Sequence, residues 1–254
     1  MLTYLFFGKV LPERAQLSVS EIRFEMRDAT SDVTRVLFVE IIYNQVVARI
    51  ETDTPLDDHF TAKNAVDDAV RTILDGVGFG MAHAYDLDLV QFADPVSPRK
   101  QVFGINIPAA SGIADSFGVN FEVIWTVLSA PNGWLVRRAL SDMRESIHSA
   151  ADTAFFIYRA IETLMSGYAS ANQLPPKSSS TWESFRSRYG LEEQAIKNIK
   201  LLADPMRHGR VVEIKGMSDD ERSQLFRDGW TMVSKVLRKL YDDFQANGRV
   251  AIFA

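Results

Sequence analysis

Residues 134–166, WLVRRALSDMRESIHSAADTAFFIYRAIETLMS, decide the fold. Within them Val136, Leu140, Met143, Ile147, Ala150, Ala154, Ile157, Ile161 and Leu164 recur at alternating steps of four and three. That spacing lays apolar side chains along one stripe of an α-helix. No Gly or Pro interrupts the run, which predicts a single helix of 33 residues, about 50 Å long. Ala150 and Ala154 form its narrow point, where a partner helix can approach. A second stripe, Phe155, Tyr158 and Met165, widens the apolar face beyond a two-stranded seam, so a bundle is expected.

Downstream, Ser180-Thr181-Trp182-Glu183 reads as a capping box that starts a short helix. Leu191–Ala203 is the next helix, ended by Asp204-Pro205. Ser218-Asp219-Asp220-Glu221 is a second capping box. It starts a helix striped by Phe226, Trp230, Val233, Leu237, Leu240 and Phe244 and closed by Gly248. Arg249–Phe253 reads as a short apolar tail. Trp125, Trp134, Trp182 and Trp230 are expected in the bundle core.

Upstream the pattern changes. Thr3–Val10 suits a strand. Leu17 and Val19 alternate, then Ile22, Phe24 and Met26 alternate in the opposite phase, which places a bulge near Ser20-Glu21. Val33–Ile50 is rich in β-branched residues and too long for one strand, so Tyr43-Asn44-Gln45 is expected to turn it into a hairpin. Thr61–Phe79 carries a helical stripe from Ala62 to Val77. Leu87 and Leu89, then Val102, Phe103 and Ile105, form two later strands, with Asp94-Pro95 and Ser97-Pro98 as turn chemistry. The expected fold class is α+β. An N-terminal mixed β-sheet domain with one helix spans 1–110, and an all-α four-helix bundle spans 111–254.

Composition narrows the function. The chain has 254 residues and no Cys, which removes disulfides, thiolate metal sites and a Cys nucleophile. No apolar run reaches the ~20 residues of a membrane span. The short Leu2–Leu11 run lacks a basic residue before it and a small-residue cleavage pattern, so no signal peptide and a cytoplasmic location are expected. Residues 1–110 hold 10 Lys and Arg against 16 Asp and Glu, net −6, whereas 111–254 hold 18 against 17, net +1. Residues 177–215 hold 8 basic against 5 acidic side chains, a modest excess for a polyanion surface. His59, beside Asp57 and Asp58, reads as part of a solvated loop. No His pair has metal-ligand spacing, and Gly76-Val77-Gly78-Phe79-Gly80 ends a helix where a phosphate loop would open one. No metal and no cofactor is therefore expected.

Two segments carry the remaining chemistry. Tyr158-Arg159-Ala160-Ile161-Glu162 lies on the long helix, and Arg207-His208-Gly209-Arg210 follows a later one. A long helix with the first segment, then a helix ending near Arg-His-Gly, resembles HEPN-type helical domains over about 134–247. The resemblance implies a dimeric helical bundle. Such domains occur in ribonucleases of bacterial defence, in toxin–antitoxin pairs and in non-catalytic nucleotide- or partner-binding proteins. The family's catalytic pattern is Arg, four to six residues, then His. Counted back from His208, its Arg falls at 201–203, which are Leu201, Leu202 and Ala203. Arg144 and His148 are separated by three residues and also miss the spacing.

Metal-independent RNA cleavage needs a base for the 2′-OH proton and a cation for the charge growing on the phosphate. His208 and Arg207 are the candidate catalytic residues; Arg159, Glu162 and Arg210 are the candidate ligand-binding ones. A competing reading makes the segment structural. In it Asp204-Pro205 starts a helical turn, Gly209 ends one, and Arg207 pairs with Glu162. The expected function is a binding or regulatory protein linked to RNA or nucleotides and dimeric through its helical domain. Its alternative is a metal-independent endoribonuclease.

Overall fold

A computed structural model describes residues 1–27, 34–56, 58–94, 100–103, 107–176, 178–210 and 217–247. The chain divides into two compact units, Met1–Ile105 and Asn106–Ala254.

The first unit is organised by the turn at Tyr43-Asn44. Both residues have positive φ, 46° and 66°, the backbone of a two-residue hairpin turn matched to strand twist. The turn joins β3 (Thr34–Ile42) to β4 (Gln45–Thr52). Asn44 is buried. Its side-chain oxygen accepts from the Leu17 amide at 2.5 Å, and its amide donates to the Glu13 and Ala15 carbonyls at 3.4 and 3.3 Å. These bonds fix the chain entering β2 (Val19–Arg27). The β2–β3 register then shifts between Val19 and Ile22, where the change of phase placed a bulge.

With β1 (Leu2–Leu11), β5 (Asp86–Ala93) and β6 (Lys100–Val102), the sheet runs β2-β3-β4-β1-β5-β6. The order of four strands, a helix and two strands is as the sequence predicts. Every described strand pair is antiparallel, where a mixed sheet was expected. The reason is topological. The crossover helix α1 (His59–Met81) leaves β4 and β5 pointing the same way, but β1 lies between them and opposes both. One face of α1, from Ala62 to Leu74, packs with Phe6, Val10, Leu37 and Ile50 in a single core. Asp58 caps α1 through the Phe60 and Thr61 amides. His59 is not in a solvated loop: its ring stacks on Phe92 at 5.6 Å. Val33, Asp57, Pro95, Ser97, Pro98, Ile105, Gly248 and the Arg249–Phe253 tail lie outside the described residues.

The second unit holds α2 (Ile113–Ser116), α3 (Phe121–Ser129), α4 (Gly133–His148), α5 (Thr153–Ala171), α6 (Ser179–Tyr189), α7 (Glu193–Arg207) and α8 (Asp219–Asn247). The expected 33-residue helix is two. α4 ends at His148 and α5 starts at Thr153, so the pair forms an antiparallel hairpin with Asp142 opposite Arg159. The apolar stripe survives the break because each half turns it towards the other.

Capping chemistry explains the break. The Arg222 guanidinium on α8 donates to the Ile147 carbonyl at 3.1 Å and to Thr153 Oγ1 at 2.9 Å. Thr153 Oγ1 itself lies 3.1 Å from the Ser146, Ser149 and Ala150 carbonyls. The last carbonyls of α4 therefore have partners without a continuing helix. α5 is buried on several sides, through Ile157, Tyr158, Ala160, Ile161, Leu164 and Met165, and packs against α4, α7 and α8. That all-round burial is what the second stripe expressed.

Two boundaries differ in detail and a third does not. α6 is capped by Ser178, whose hydroxyl accepts from the Thr181 amide, so the helix is capped two residues before the box expected at Ser180. α7 runs through Asp204-Pro205 to Arg207, because a Pro in the final turn removes one N–H while its own carbonyl still accepts from Arg210 at 2.8 Å. Ser218 and Glu221 form the capping box of α8 as expected.

Candidate functional site

On α5, Tyr158 and Glu162 are one turn apart and share the side that meets α7, whereas Arg159 is rotated about 100° away. α7 supplies Asp204, Arg207 and His208 from its last turn. Gly209 adopts φ +68° and lets the chain leave the helix there. Arg207 pairs with Glu162 at 3.2 Å and with Asp204 at 3.8 Å. Its guanidinium also sits 5.6 Å from the centre of the Tyr158 ring, which stacks on Trp182. Burial pushes the Tyr158 hydroxyl up to about 12, and the Glu162 charge acts in the same direction. His208 Nε2 lies 4.0 Å from Asp204 Oδ1, and its side chain is 56% exposed.

One arginine thus faces two carboxylates, so the cluster is net negative when His208 is neutral. An incoming phosphate would have to displace Glu162 from the Arg207 fork and would meet Asp204 behind it. Within the wider 177–215 stretch three described cations are paired in the same manner. Arg186 and Lys197 pair with Glu193, and Arg188 pairs with Asp243. Lys177 and Lys215 lie outside the described residues.

Arg159, a candidate ligand contact, belongs to a different cluster. It donates to Asp142, which is 1% exposed, and lies over the Phe155 and Phe156 rings at 5.1 and 4.8 Å. Arg138 adds a second cation 3.7 Å from Asp142. Arg159 therefore ties α5 to α4 and does not join Glu162 and Arg207. Arg210 is exposed beyond Gly209 and is anchored by its amide. The structure brings Arg207, His208 and Glu162 together and leaves Arg159 outside.

Sequence reasoning missed Asp142, Asp204 as a charge partner, and Arg222. Ala139 and Ser146, both fully buried on α4, were the available signal for Asp142, since small residues a turn away on either side mark a close helix approach. Trp125 and Trp134 depart from the expected core. They are 61% and 66% exposed, and Phe121, stacked on Trp125, is 76% exposed. Trp182 and Trp230 are partly buried. Among the described residues no three His, Asp or Glu side chains converge as a metal site, and no helix is long and apolar enough to cross a membrane.

Residues 4–103 match the model of the DUF8168 N-terminal domain, and residues 121–240 match that of the DUF8168 C-terminal domain, each described as a domain of unknown function. The chain matches both domains of DUF8168, in order. The Arg207 cluster and the α4–α5 hairpin both fall inside the C-terminal match. No curated protein and no solved structure matches the chain.

Proposed function

We propose that the chain is a HEPN-like binding or regulatory protein, cytoplasmic and homodimeric, in which Arg207-His208-Gly209 holds the helical domain together and cleaves no RNA. The observation that carries this reading is the engagement of Arg207 by Glu162 and Asp204. A guanidinium held by two carboxylates is not poised to stabilise the charge of a phosphoryl transition state. Dimerisation draws its support from Phe121, Trp125 and Trp134. They expose on the order of 400 Å² of aromatic surface, about half of what one partner contributes to a standard interface. RNA or a nucleotide is the ligand class that the HEPN resemblance supplies.

The second reading, a metal-independent endoribonuclease, is favoured by one feature. His208 is exposed and its Nε2 lies 4.0 Å from Asp204 Oδ1, so a closing movement of under about 1 Å would give it the orienting carboxylate of a general base. Light scattering and the anisotropy of labelled single-stranded RNA separate the readings. The proposal expects a particle of twice the 28.6 kDa chain mass, reduced to one chain by Trp125→Ser with Trp134→Ser. It also expects that any RNA binding survives Arg207→Met. A monomer at micromolar concentration overturns the dimer. RNA binding abolished by Arg207→Met in a folded protein overturns the structural role of the site.

A further inference from the structure

A cavity opens in the helical unit away from the Arg207 cluster, between α2, α3, α4 and α8. It has a volume of about 210 Å³. Its wall is apolar, with Leu140, Met143, Trp230 and Leu237 among the lining residues. The polar side chains in the lining are Arg144, Ser234 and the Trp230 indole. Ser234 is buried within the helix bundle. The Arg144 side chain is 66% exposed, so it stands where the wall meets solvent. Its ion-pair partner is the adjacent Glu145, at 2.6 Å. That is a solvent-screened neighbour pair, which a better-placed carboxylate can replace.

Size, polarity and charge together select a ligand. An apolar cavity of ~150 Å³ accepts benzene, with its six carbons. Scaled to 210 Å³, the same density accommodates about eight carbons. The wall offers no set of hydrogen-bonding groups for a sugar or a base. One guanidinium at the mouth balances one negative charge, and its planar fork matches a carboxylate.

We propose that this cavity binds a small apolar monocarboxylate of about eight carbons, with its chain among Leu140, Met143 and Leu237 and its carboxylate on Arg144. The site lies on different residues from those argued above to be structural, so it stands whether or not the dimer or the HEPN reading does.

The test uses the full-length chain and three probes of equal length: octanoate, octanol and octylamine. Calorimetric titration is read alongside tryptophan fluorescence, because Trp230 lines the wall. Octanoate is expected to bind saturably, and more tightly than octanol, with octylamine weakest. Arg144→Gln, at an exposed position, is expected to weaken octanoate by about tenfold and to leave octanol within about twofold. Leu140→Trp fills the cavity and is expected to abolish binding of both, with circular dichroism reporting that the helices persist. Should that variant not fold, Arg144→Gln alone decides. Absence of saturable octanoate binding, equal loss of octanol in Arg144→Gln, or octanoate binding retained by a folded Leu140→Trp each overturns the assignment.

Discussion

Replacing Arg207 with Met keeps much of the stem that covers Tyr158 and removes the charge that Glu162 and Asp204 share. The side chains of Arg207, Glu162 and Asp204 are 26%, 21% and 28% exposed, so the cluster lies between the surface and the interior. Exposed pairs contribute up to about 1 kcal/mol, whereas stripping one partner from a buried pair costs about 3–5 kcal/mol. The expected loss is about 2 kcal/mol, most of it from two carboxylates left partly buried without a cation. For a unit of this size that corresponds to a fall of roughly 4–8 °C in Tm. Tryptophan fluorescence is the suitable probe, because Trp125, Trp134, Trp182 and Trp230 all lie in the helical unit. Urea unfolding should show the midpoint falling with an unchanged slope. Adding Glu162→Gln removes one stranded charge, so the double variant should recover part of the loss, with a coupling of about 1 kcal/mol. A change below about 0.5 kcal/mol, with the two substitutions additive, would refute the reasoning that Arg207 is a structural tie.

Tyr158 gives a pH signature. Its hydroxyl is raised to about 12 by burial, above the ordinary value of about 10, so the neutral phenol stabilises the fold fully below pH ~10 and that contribution is lost as pH rises towards 12. Urea midpoints between pH 9 and 12 should fall more steeply for the native chain than for Tyr158→Phe. Arg222→Met should cost about 2–3 kcal/mol, because it removes charged hydrogen bonds to Ile147 and Thr153 at the α4–α5 break; fluorescence-monitored unfolding measures it. In the sheet unit, Asn44→Ala should cost about 3 kcal/mol through the stranded Leu17 amide and a left-handed turn position that Ala tolerates poorly. Hydrogen exchange of the Leu17 amide should accelerate accordingly.

The sheet unit was legible because its signals are local. Alternation located the strands, the reversal of phase at Ser20-Glu21 located the bulge, and Tyr43-Asn44 located the turn. Strand order was not legible, because the insertion of β1 between β4 and β5 depends on contacts far apart in sequence. In the helical unit the stripe from Val136 to Leu164 gave the buried faces correctly and the continuity wrongly. Periodicity cannot distinguish one helix from two that fold onto each other in phase. The partners that end α4 include Arg222, which is 75 residues beyond Ile147. The Arg207–Glu162 pair is readable as a candidate from charge and spacing, but Asp204-Pro205 has the residue pattern of a helix start and lies in a final turn. The exposure of Trp125 and Trp134 was invisible to composition, which reads large aromatics as core.

The most direct measurement is incubation of the purified chain with single-stranded RNA in the presence of a chelator, across pH 5–9, the range over which an ordinary histidine changes charge. With Arg207 held by Glu162 and Asp204, the RNA should remain intact at every pH, and His208→Ala should behave identically. Metal-independent cleavage by the native chain, lost in a folded His208→Ala, would contradict the account.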